Sequence, residues 1–271
     1  LINPGRYEIY NTGHPESDYH NLFIMEDKSK LKEAILYIDY MEDKRMHNMS
    51  HGSEEASAGF SKDFVDCILY NDGLPKGVTT QPTADNTIKE EMKGRDLRFS
   101  QLIKNDAYLT EEDLEKDNYD DYYVDNYHLT GYHTIKGYNP NLPSGYYIET
   151  SDGIAYRYAE TLLINAEAKA ELETLTQKDL DNTINKLRDR VNMPHLNLNV
   201  GFTDPNWPDY GYPLSPILQE IRRERRIELA GEGFRFDDLC RWKAGHLLDN
   251  VKTYIGKKLS TGKYAIVYPN Y

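Results

Sequence analysis

The sequence has little cysteine and none of the short motifs that mark common catalytic sites. Its two cysteines, Cys67 and Cys240, lie far apart without the spacing of a zinc site, and we predict that both are buried thiols. His128 and His133 stand in a tyrosine-rich stretch and do not share a helical face, so they do not form a metal pair. No glycine-rich phosphate loop and no nucleophile elbow is present. These absences predict a protein that is not an enzyme and that holds no cofactor or metal.

Positive charge and long apolar runs are lacking too. Basic residues number 32 against 45 acidic ones, which gives a formal net charge of -13. Binding to phosphate backbones depends on clustered Lys and Arg, so this balance argues against a nucleic-acid partner. No apolar run is long enough to cross a membrane. Because 39% of the 271 residues are apolar, the chain can still build a core of one or two globular domains.

What the chain does have is a helix with charges at positions where apolar side chains are expected. In the helix of residues 216–229, Arg225 and Glu228 fall within the apolar face when successive residues are turned by about 100°. A buried charge requires partners, because losing its hydration is costly. We predict that Arg225 and Glu228 pair with each other, and that Arg188 or Arg190 of the preceding helix completes a structural network around Glu228.

The other face of the same helix carries Arg222, Arg223 and Arg226. A run of like charges is typical of a solvated surface, so we predict that these three side chains are exposed. A catalytic role for Glu228, tuned by arginine, is the alternative to a structural ion pair. It is disfavoured because the sequence supplies no neighbouring nucleophile or set of metal ligands.

Residues 151–271 have the periodicity of packed helices. Small and apolar residues recur at spacings of three and four between Ile154 and Glu173, which predicts one helix. Thr176 is expected to cap a second helix that ends before Pro194, so that the two form an antiparallel pair of tetratricopeptide type. A later, shorter helix carries Trp242, which we predict to be part of the core.

Residues 1–150 form a loop-rich portion with many turn signals and no long amphipathic stripe. The apolar stretch from Ala34 to Met41 is rich in β-branched and aromatic residues and predicts a short strand. Ser61 predicts the cap of a helix that reaches Leu69. Residues 97–103 alternate between apolar and polar types, which predicts a further strand.

Two long segments carry a specific pattern, supported by a weaker match at Gly94-Arg-Asp-Leu-Arg98. They are Ile154-Ala-Tyr-Arg-Tyr-Ala-Glu-Thr-Leu-Leu-Ile-Asn-Ala-Glu-Ala-Lys-Ala-Glu-Leu172 and Glu224-Arg-Arg-Ile-Glu-Leu-Ala-Gly-Glu-Gly-Phe-Arg-Phe-Asp-Asp-Leu-Cys-Arg-Trp242. Together they closely resemble the SusD/RagB family of nutrient-binding lipoproteins on the outer membrane of Bacteroidetes. The departure is Leu97, where the family usually has proline.

The resemblance implies a mainly α fold, a tetratricopeptide-like α/α superhelix with irregular loops and a few short strands. Residues 1–150 and 151–271 would then be parts of one continuous family domain. Family members are considerably longer and begin with a signal peptide and a lipid-accepting cysteine, whereas this chain opens at Leu1. It is therefore expected to be a C-terminal fragment, cut at both ends, whose lipid anchor belongs to the missing part.

The resemblance also implies a function and a partner. Such proteins capture oligo- or polysaccharide at the cell surface and deliver it to a SusC-like TonB-dependent transporter in the outer membrane. Two alternatives remain open. RagB-like members suggest capture of peptides for the same uptake route, and a helical scaffold that binds only protein is the second alternative.

Aromatic content points to the candidate ligand residues, since the chain has 23 Tyr against 7 Phe. Tyrosine offers an apolar ring face and a hydroxyl, both of which suit sugars, although most of these rings are expected to pack within the protein. By resemblance, ligand is expected at the loop of residues 43–60. A second candidate, Trp207 with Tyr210, either binds ligand or clamps a connection between helices. The predicted ligand residues are His47, Asn48, His51, Phe60, Tyr122, Tyr123, Trp207 and Tyr210.

Overall fold

The computed structural model describes residues 5–55, 59–108, 129–142 and 146–258, and most of its regular elements are helices. No helix among these residues is long and apolar enough to span a bilayer. In chain order, the helices are α1 (Asp18–Ile24), α2 (Met49–Glu55), α3 (Lys62–Cys67), α4 (Ile88–Met92), α5 (Arg98–Leu102), α6 (Tyr158–Glu171), α7 (Gln177–Asn182), α8 (Ile184–Arg190), α9 (Pro216–Glu228) and α10 (Phe234–Arg241). Short 3-10 turns cover Asp106–Tyr108, Gly245–Asp249 and Val251–Thr253.

One antiparallel ribbon joins the first portion to the helical portion. Strand β1 (Ala34–Ile38) confirms the strand predicted there, and it pairs with β2 (Gly153–Arg157), with Leu36 opposite Tyr156. Pairing with β1 holds residues 153–157 extended, so the helix predicted from Ile154 begins only at the start of α6.

The strand predicted over residues 97–103 is wrong, because this stretch forms α5. The carboxylate of Asp96 accepts a hydrogen bond from the backbone N–H of Arg98 at 2.9 Å, and the carbonyl of Asp96 accepts one from Phe99 at 2.9 Å. These two bonds form the first turn of α5, so the alternation of apolar and polar residues at 97–103 does not produce a strand. A short run of this length does not distinguish the two periods.

The predicted caps are confirmed. Thr176 forms a capping box with Asp179, whose side chain accepts a hydrogen bond from the Thr176 N–H at 2.9 Å. Ser61 caps α3 as predicted, although α3 ends at Cys67 and not at the predicted Leu69. Ser215, which was not predicted as a cap, caps α9 in the same way by accepting a hydrogen bond from a backbone N–H. The second helix of the predicted pair is interrupted at Thr183, which separates α7 from α8, and its apolar face is buried against α6.

Glu228, at the end of α9, is fully buried and is the centre of an ion-pair network. Its carboxylate accepts hydrogen bonds from Arg190 at 2.5 Å, from Arg157 at 2.6 Å and from Arg98 at 3.0 Å. The predicted burial of Glu228 and its pairing with Arg190 are therefore confirmed. Arg98 belongs to the first portion of the chain, so the network joins that portion to the helices.

Arg225 is buried as predicted, but its predicted pairing with Glu228 is wrong. The Nε of Arg225 donates to the two carboxylate oxygens of Asp238, each at 2.9 Å. Arg188 likewise pairs with Glu224, at 2.9 Å, rather than with Glu228. The physical reason is that arginines from other elements already surround Glu228, while α10 places Asp238 next to Arg225.

The prediction that Arg222, Arg223 and Arg226 are solvated is also wrong. Only 3% of Arg222 and 8% of Arg223 is exposed, because segments remote in sequence cover this face of α9. Each side chain has a carboxylate partner: Arg222 with Glu171 at 2.8 Å, Arg223 with Asp204 at 2.5 Å and Arg226 with Asp63 at 2.6 Å.

For the neighbouring helix α10, the predicted burial of Trp242 is confirmed and the predicted burial of Cys240 is wrong. Trp242, just after its end, is 3% exposed and belongs to the core as predicted. Cys240 is exposed and Cys67 is only partly buried, so the prediction of two buried thiols is wrong. Leu239 faces the core, and the next residue on a helix is turned by about 100° from it, which directs Cys240 to the surface.

Candidate functional site

Helix α2 is held in place by a buried glutamate. Glu149 is 2% exposed and accepts hydrogen bonds from the backbone N–H of Ser50 at 2.7 Å and from its hydroxyl at 2.8 Å. A carboxylate at this end of a helix satisfies free N–H groups and interacts favourably with the helix dipole. The segment 43–60, predicted as a loop, therefore contains a helix, because a residue 99 positions away fixes its first turn.

His47 connects this helix to the segment around Glu149. The backbones of His47 and Glu149 exchange hydrogen bonds of 2.9 and 3.1 Å. The Nδ1 of His47 accepts a hydrogen bond from the N–H of Met49 at 3.2 Å, and its Nε2 lies 2.9 Å from the carbonyl oxygen of Ser151. The ring also packs edge-on against Tyr40, with 4.6 Å between ring centroids. Both ring nitrogens are thus engaged within the protein, in an imidazole that donates from Nε2.

Beyond His47 lies a group of exposed side chains, here called the tyrosine face and defined by the contacting pair His51 and Tyr146 with Met49 and Tyr147 close to them in sequence. Tyr146 and Tyr147 are 65% and 62% exposed. The rings of Tyr146 and His51 are in edge-to-face contact, with centroids 4.0 Å apart and planes at 64°. Met49 is also exposed. The arrangement offers a ring fixed by its neighbour and accessible to solvent.

Three predicted ligand residues lie in α2 or directly before it. His51 belongs to the tyrosine face, His47 precedes α2, and the carbonyl oxygen of Asn48 accepts a hydrogen bond from the Gly52 N–H at 2.7 Å. Their role in ligand binding stays a prediction. Tyr146 and Tyr147 were missed in the sequence, although a pair of adjacent tyrosines after the sequence Pro-Ser-Gly is a signal that could have located them.

Phe60 lies in a separate cavity of about 440 Å³, here called the phenylalanine cavity. Its ring stacks on Phe64 with 4.4 Å between centroids. Phe234 and Phe236 of α10 contribute further rings, and Arg235 lies between them in sequence and also lines the space. Phe60 is therefore not brought to the tyrosine face.

Trp207 and Tyr210 line a third region, a cavity of about 420 Å³ beside α9. The indole Nε1 of Trp207 donates to Glu220 at 2.6 Å, and Tyr210 is 4% exposed with its ring edge-on to Trp242. These contacts favour a clamp between the connection and the helices over an open ligand platform. A ligand role for either ring stays a prediction.

The remaining predicted ligand residues, Tyr122 and Tyr123, lie outside the described residues, as does His128. Within the part of the chain that the structure describes, no group of three or more His, Cys, Asp or Glu side chains is arranged to hold a metal ion.

The chain is similar to a protein family and to solved structures. A model of the SusD family matches residues 3–268. A SusD-like carbohydrate-binding protein from Bacteroides fragilis is 25% identical with a TM-score of 0.60, and the match covers 90% of this chain and 47% of that protein. A second SusD-like protein from Bacteroides fragilis is also 25% identical, with a TM-score of 0.58 and coverage of 88% and 48%. A SusD superfamily protein from Bacteroides vulgatus, 16% identical with a TM-score of 0.50 and coverage of 92% and 47%, shares the fold.

No curated protein sequence matches the chain. The chain spans about half the length of the solved structures that it resembles, 47% of one and 48% of another. The mainly helical, tetratricopeptide-like fold predicted from the sequence is confirmed by its helices and by these neighbours. With the family model matched from residue 3 to residue 268, the chain belongs to the SusD family.

Proposed function

We propose that this chain is part of a cell-surface protein that binds oligo- or polysaccharide and delivers it to a TonB-dependent transporter in the outer membrane. The observation that carries the proposal is the exposed ring of Tyr146, held at 4.0 Å by His51 beside the exposed Tyr147. Family membership supports the same class of ligand, since one similar solved structure is described as a carbohydrate-binding protein.

The chemistry of the tyrosine face suits a sugar. A ring exposed on one side packs against the apolar C–H face of a pyranose, and the phenol hydroxyl reaches sugar hydroxyls. His47 acts as a positioning residue in this proposal, because its two ring nitrogens are already engaged by Met49 and Ser151. Binding is non-covalent, and no residue of the face is assigned a catalytic role.

Peptide capture is the second candidate, and exposed Met49 favours it. Methionine is flexible and polarizable and recurs on surfaces that accept varied apolar side chains. At 55% exposure, its side chain is open to solvent in the first turn of α2, two residues before His51. A peptide with apolar side chains would use the methionine and the rings together, whereas a sugar would use the rings alone.

Native affinity electrophoresis through gels that contain different polysaccharides tests the proposal. We expect retardation in at least one gel and about tenfold weaker binding for Tyr146→Ala, which corresponds to about 1.4 kcal/mol of lost stacking. Tyr146→Phe retains the ring and should retain most of the affinity. The matched control is Tyr254→Ala, since Tyr254 is 72% exposed in a different segment.

Three results would change the conclusion. Equal retardation of Tyr146→Ala and the unmodified protein would remove the tyrosine face as the site. Absence of retardation in every gel, together with retention of peptides that Met49→Ala releases, would establish peptide capture instead. Release of shorter sugars from a bound polysaccharide would show turnover and contradict a role in binding alone.

A further inference from the structure

The phenylalanine cavity combines an apolar wall with several arginines. It is enclosed by the residues before and within α3, the end of α9, the start of α10 and the turn at Gly245–Asp249. Four of the seven phenylalanines of the chain line it, namely Phe60, Phe64, Phe234 and Phe236. Its volume of about 440 Å³ lies within the range of small-molecule sites.

The positive charges of this cavity exceed its carboxylates. Arg226 is paired with Asp63 at 2.6 Å, and the Nε of Arg225 is paired with Asp238 at 2.9 Å. The Nη1 of Arg225, in contrast, is buried and has no hydrogen-bond partner among the described residues. One arginine in the wall therefore retains an unused donor although it already has a carboxylate partner.

Arg235 is the second source of unused donors. Over the part of the chain that the structure describes, it forms no hydrogen bond and no ion pair, and it faces the Trp242 ring, 6.0 Å from the guanidinium carbon to the centroid. Burial and the neighbouring charge of Arg226 lower the pKa of Arg235 to about 10, so the group is still positively charged at neutral pH. No guanidinium nitrogen of Arg235 is among the fully buried donors without partners, so its donors remain accessible where the side chain lines the cavity.

We propose that the phenylalanine cavity binds the carboxylate of an apolar ligand, with Arg235 and the Nη1 of Arg225 as donors to the carboxylate and the phenyl rings around the apolar body. A planar guanidinium matches a carboxylate with two parallel hydrogen bonds. Asp63 and Asp238 lie in the same wall and disfavour a doubly charged phosphate through like-charge repulsion, whereas a single negative charge balances the excess cation. This site is separate from the tyrosine face and does not depend on the proposed glycan function.

Two sources share this chemistry, a free apolar carboxylic acid and the C-terminal carboxylate of a peptide that ends in an apolar residue. Titration calorimetry with 3-phenylpropanoate and with its uncharged amide isolates the contribution of the carboxylate. We expect the carboxylate to bind at least about tenfold more tightly than the amide, a difference of about 1.4 kcal/mol. The same pair of measurements on a short peptide ending in phenylalanine, with a free or an amidated C-terminus, identifies the source.

Variants locate the site. Arg235→Gln should weaken carboxylate binding about tenfold or more and leave amide binding unchanged, and Phe236→Ala should weaken both ligands, because its ring at the rim is exposed and packs on ligand alone. Lys30→Gln removes one charge from an exposed position outside the cavity and should bind as the unmodified protein does. Tyr146→Ala should also bind normally, which separates this test from the glycan test.

The melting temperature provides a second readout for Arg235→Gln. Since Arg235 has no carboxylate partner among the described residues, its neutralisation should leave Tm unchanged or raise it in the absence of ligand. Equal binding of acid and amide, or binding of neither acid nor peptide, would overturn the proposal. So would a lower Tm of Arg235→Gln in the absence of ligand, because that result would show that Arg235 already has a structural partner.

Discussion

Replacing Glu228 by glutamine removes the charge at the centre of the ion-pair network and nearly preserves the shape of the side chain. Three guanidinium groups contact this carboxylate, from Arg98, Arg157 and Arg190, at 2.5 to 3.0 Å. The amide of glutamine supplies one acceptor oxygen and directs an NH₂ group at donors. At least one arginine donor is therefore left facing another donor in the core.

The magnitude follows from what each arginine retains. Breaking a buried ion pair costs about 3–5 kcal/mol. Here Arg98 retains Asp96 and Glu224, and Arg157 and Arg190 retain Glu33, so no guanidinium is left entirely without a carboxylate. We therefore expect the lower end of the range, a loss of about 3 kcal/mol in the free energy of unfolding. For a chain of this size the loss corresponds to a decrease in Tm of about 6–12 °C.

Urea unfolding followed by circular dichroism measures this loss, with the slope m as a check on two-state behaviour. The matched control is Glu171→Gln, since Glu171 pairs with Arg222 at 2.8 Å but is 48% exposed. Its loss should stay below about 1 kcal/mol, as for exposed ion pairs. A loss below about 0.5 kcal/mol for Glu228→Gln would refute the reasoning, because that value is typical of exposed positions without partners.

The effect of Glu228→Gln on stability should also depend on pH. Burial would raise the pKa of Glu228, but the charges of Arg190, Arg157 and Arg98 outweigh it and lower the pKa below its ordinary value. The contribution of the carboxylate to stability is therefore complete above its unfolded pKa of about 4.3 and is lost as the pH falls through the folded pKa. The stability difference between the unmodified protein and Glu228→Gln should be constant at neutral pH and become smaller below about pH 4.

Two further predictions concern local chemistry. Thr176→Ala removes the side chain that accepts a hydrogen bond from the Asp179 N–H, and should lower the free energy of unfolding by about 1 kcal/mol in urea titrations; no change would mean that the capping box does not stabilise α7. Gly233→Ala places a Cβ at a φ of +87° with no atom within 4 Å, so backbone strain alone should cost about 1 kcal/mol. Gly245→Ala, also without neighbours within 4 Å but without a positive φ, should be neutral, and urea titration measures both glycine variants.

Local signals in the sequence were sufficient to predict those helix starts that depend on short-range hydrogen bonds. Thr176 and Ser61 cap helices because each offers an oxygen to the N–H three residues later, and that geometry is contained in a few residues. The strand predicted over residues 97–103 was wrong because the pattern of apolar residues in so short a run fits a single helical turn almost as well as a short strand. The bonds to Asp96 decide between them.

The predictions for α9 failed where they assumed solvent on one side. Helical periodicity assigns faces, but it does not say what covers each face. Arg222 and Arg223 are covered by Glu171 and Asp204, which come from other segments, so the basic face of α9 is as buried as its apolar face. Nine of its thirteen residues are buried, which no amphipathic pattern predicts.

The candidate site could be predicted only in part, because it also depends on contacts between segments that are far apart in sequence. The family resemblance pointed to residues 43–60, where His47, Asn48 and His51 lie in α2 or directly before it and His51 contacts Tyr146. Tyr146 reaches the tyrosine face through the hydrogen bonds of Glu149 to α2, a contact across 99 positions. A pairing at this distance carries no local signal in the sequence.

The ion pair between Arg98 and Glu228 also constrains the order in which the chain can fold during synthesis. Arg98 is fully buried in the finished protein, and this partner is made 130 residues later. At about 5–20 residues per second, translation takes about 6–26 s to cover that interval. During this time the first portion cannot close around Arg98 with its full set of acceptors, so its final packing must wait for the end of α9. The segments that enclose Arg98 therefore reach their final packing only after α9 has been made.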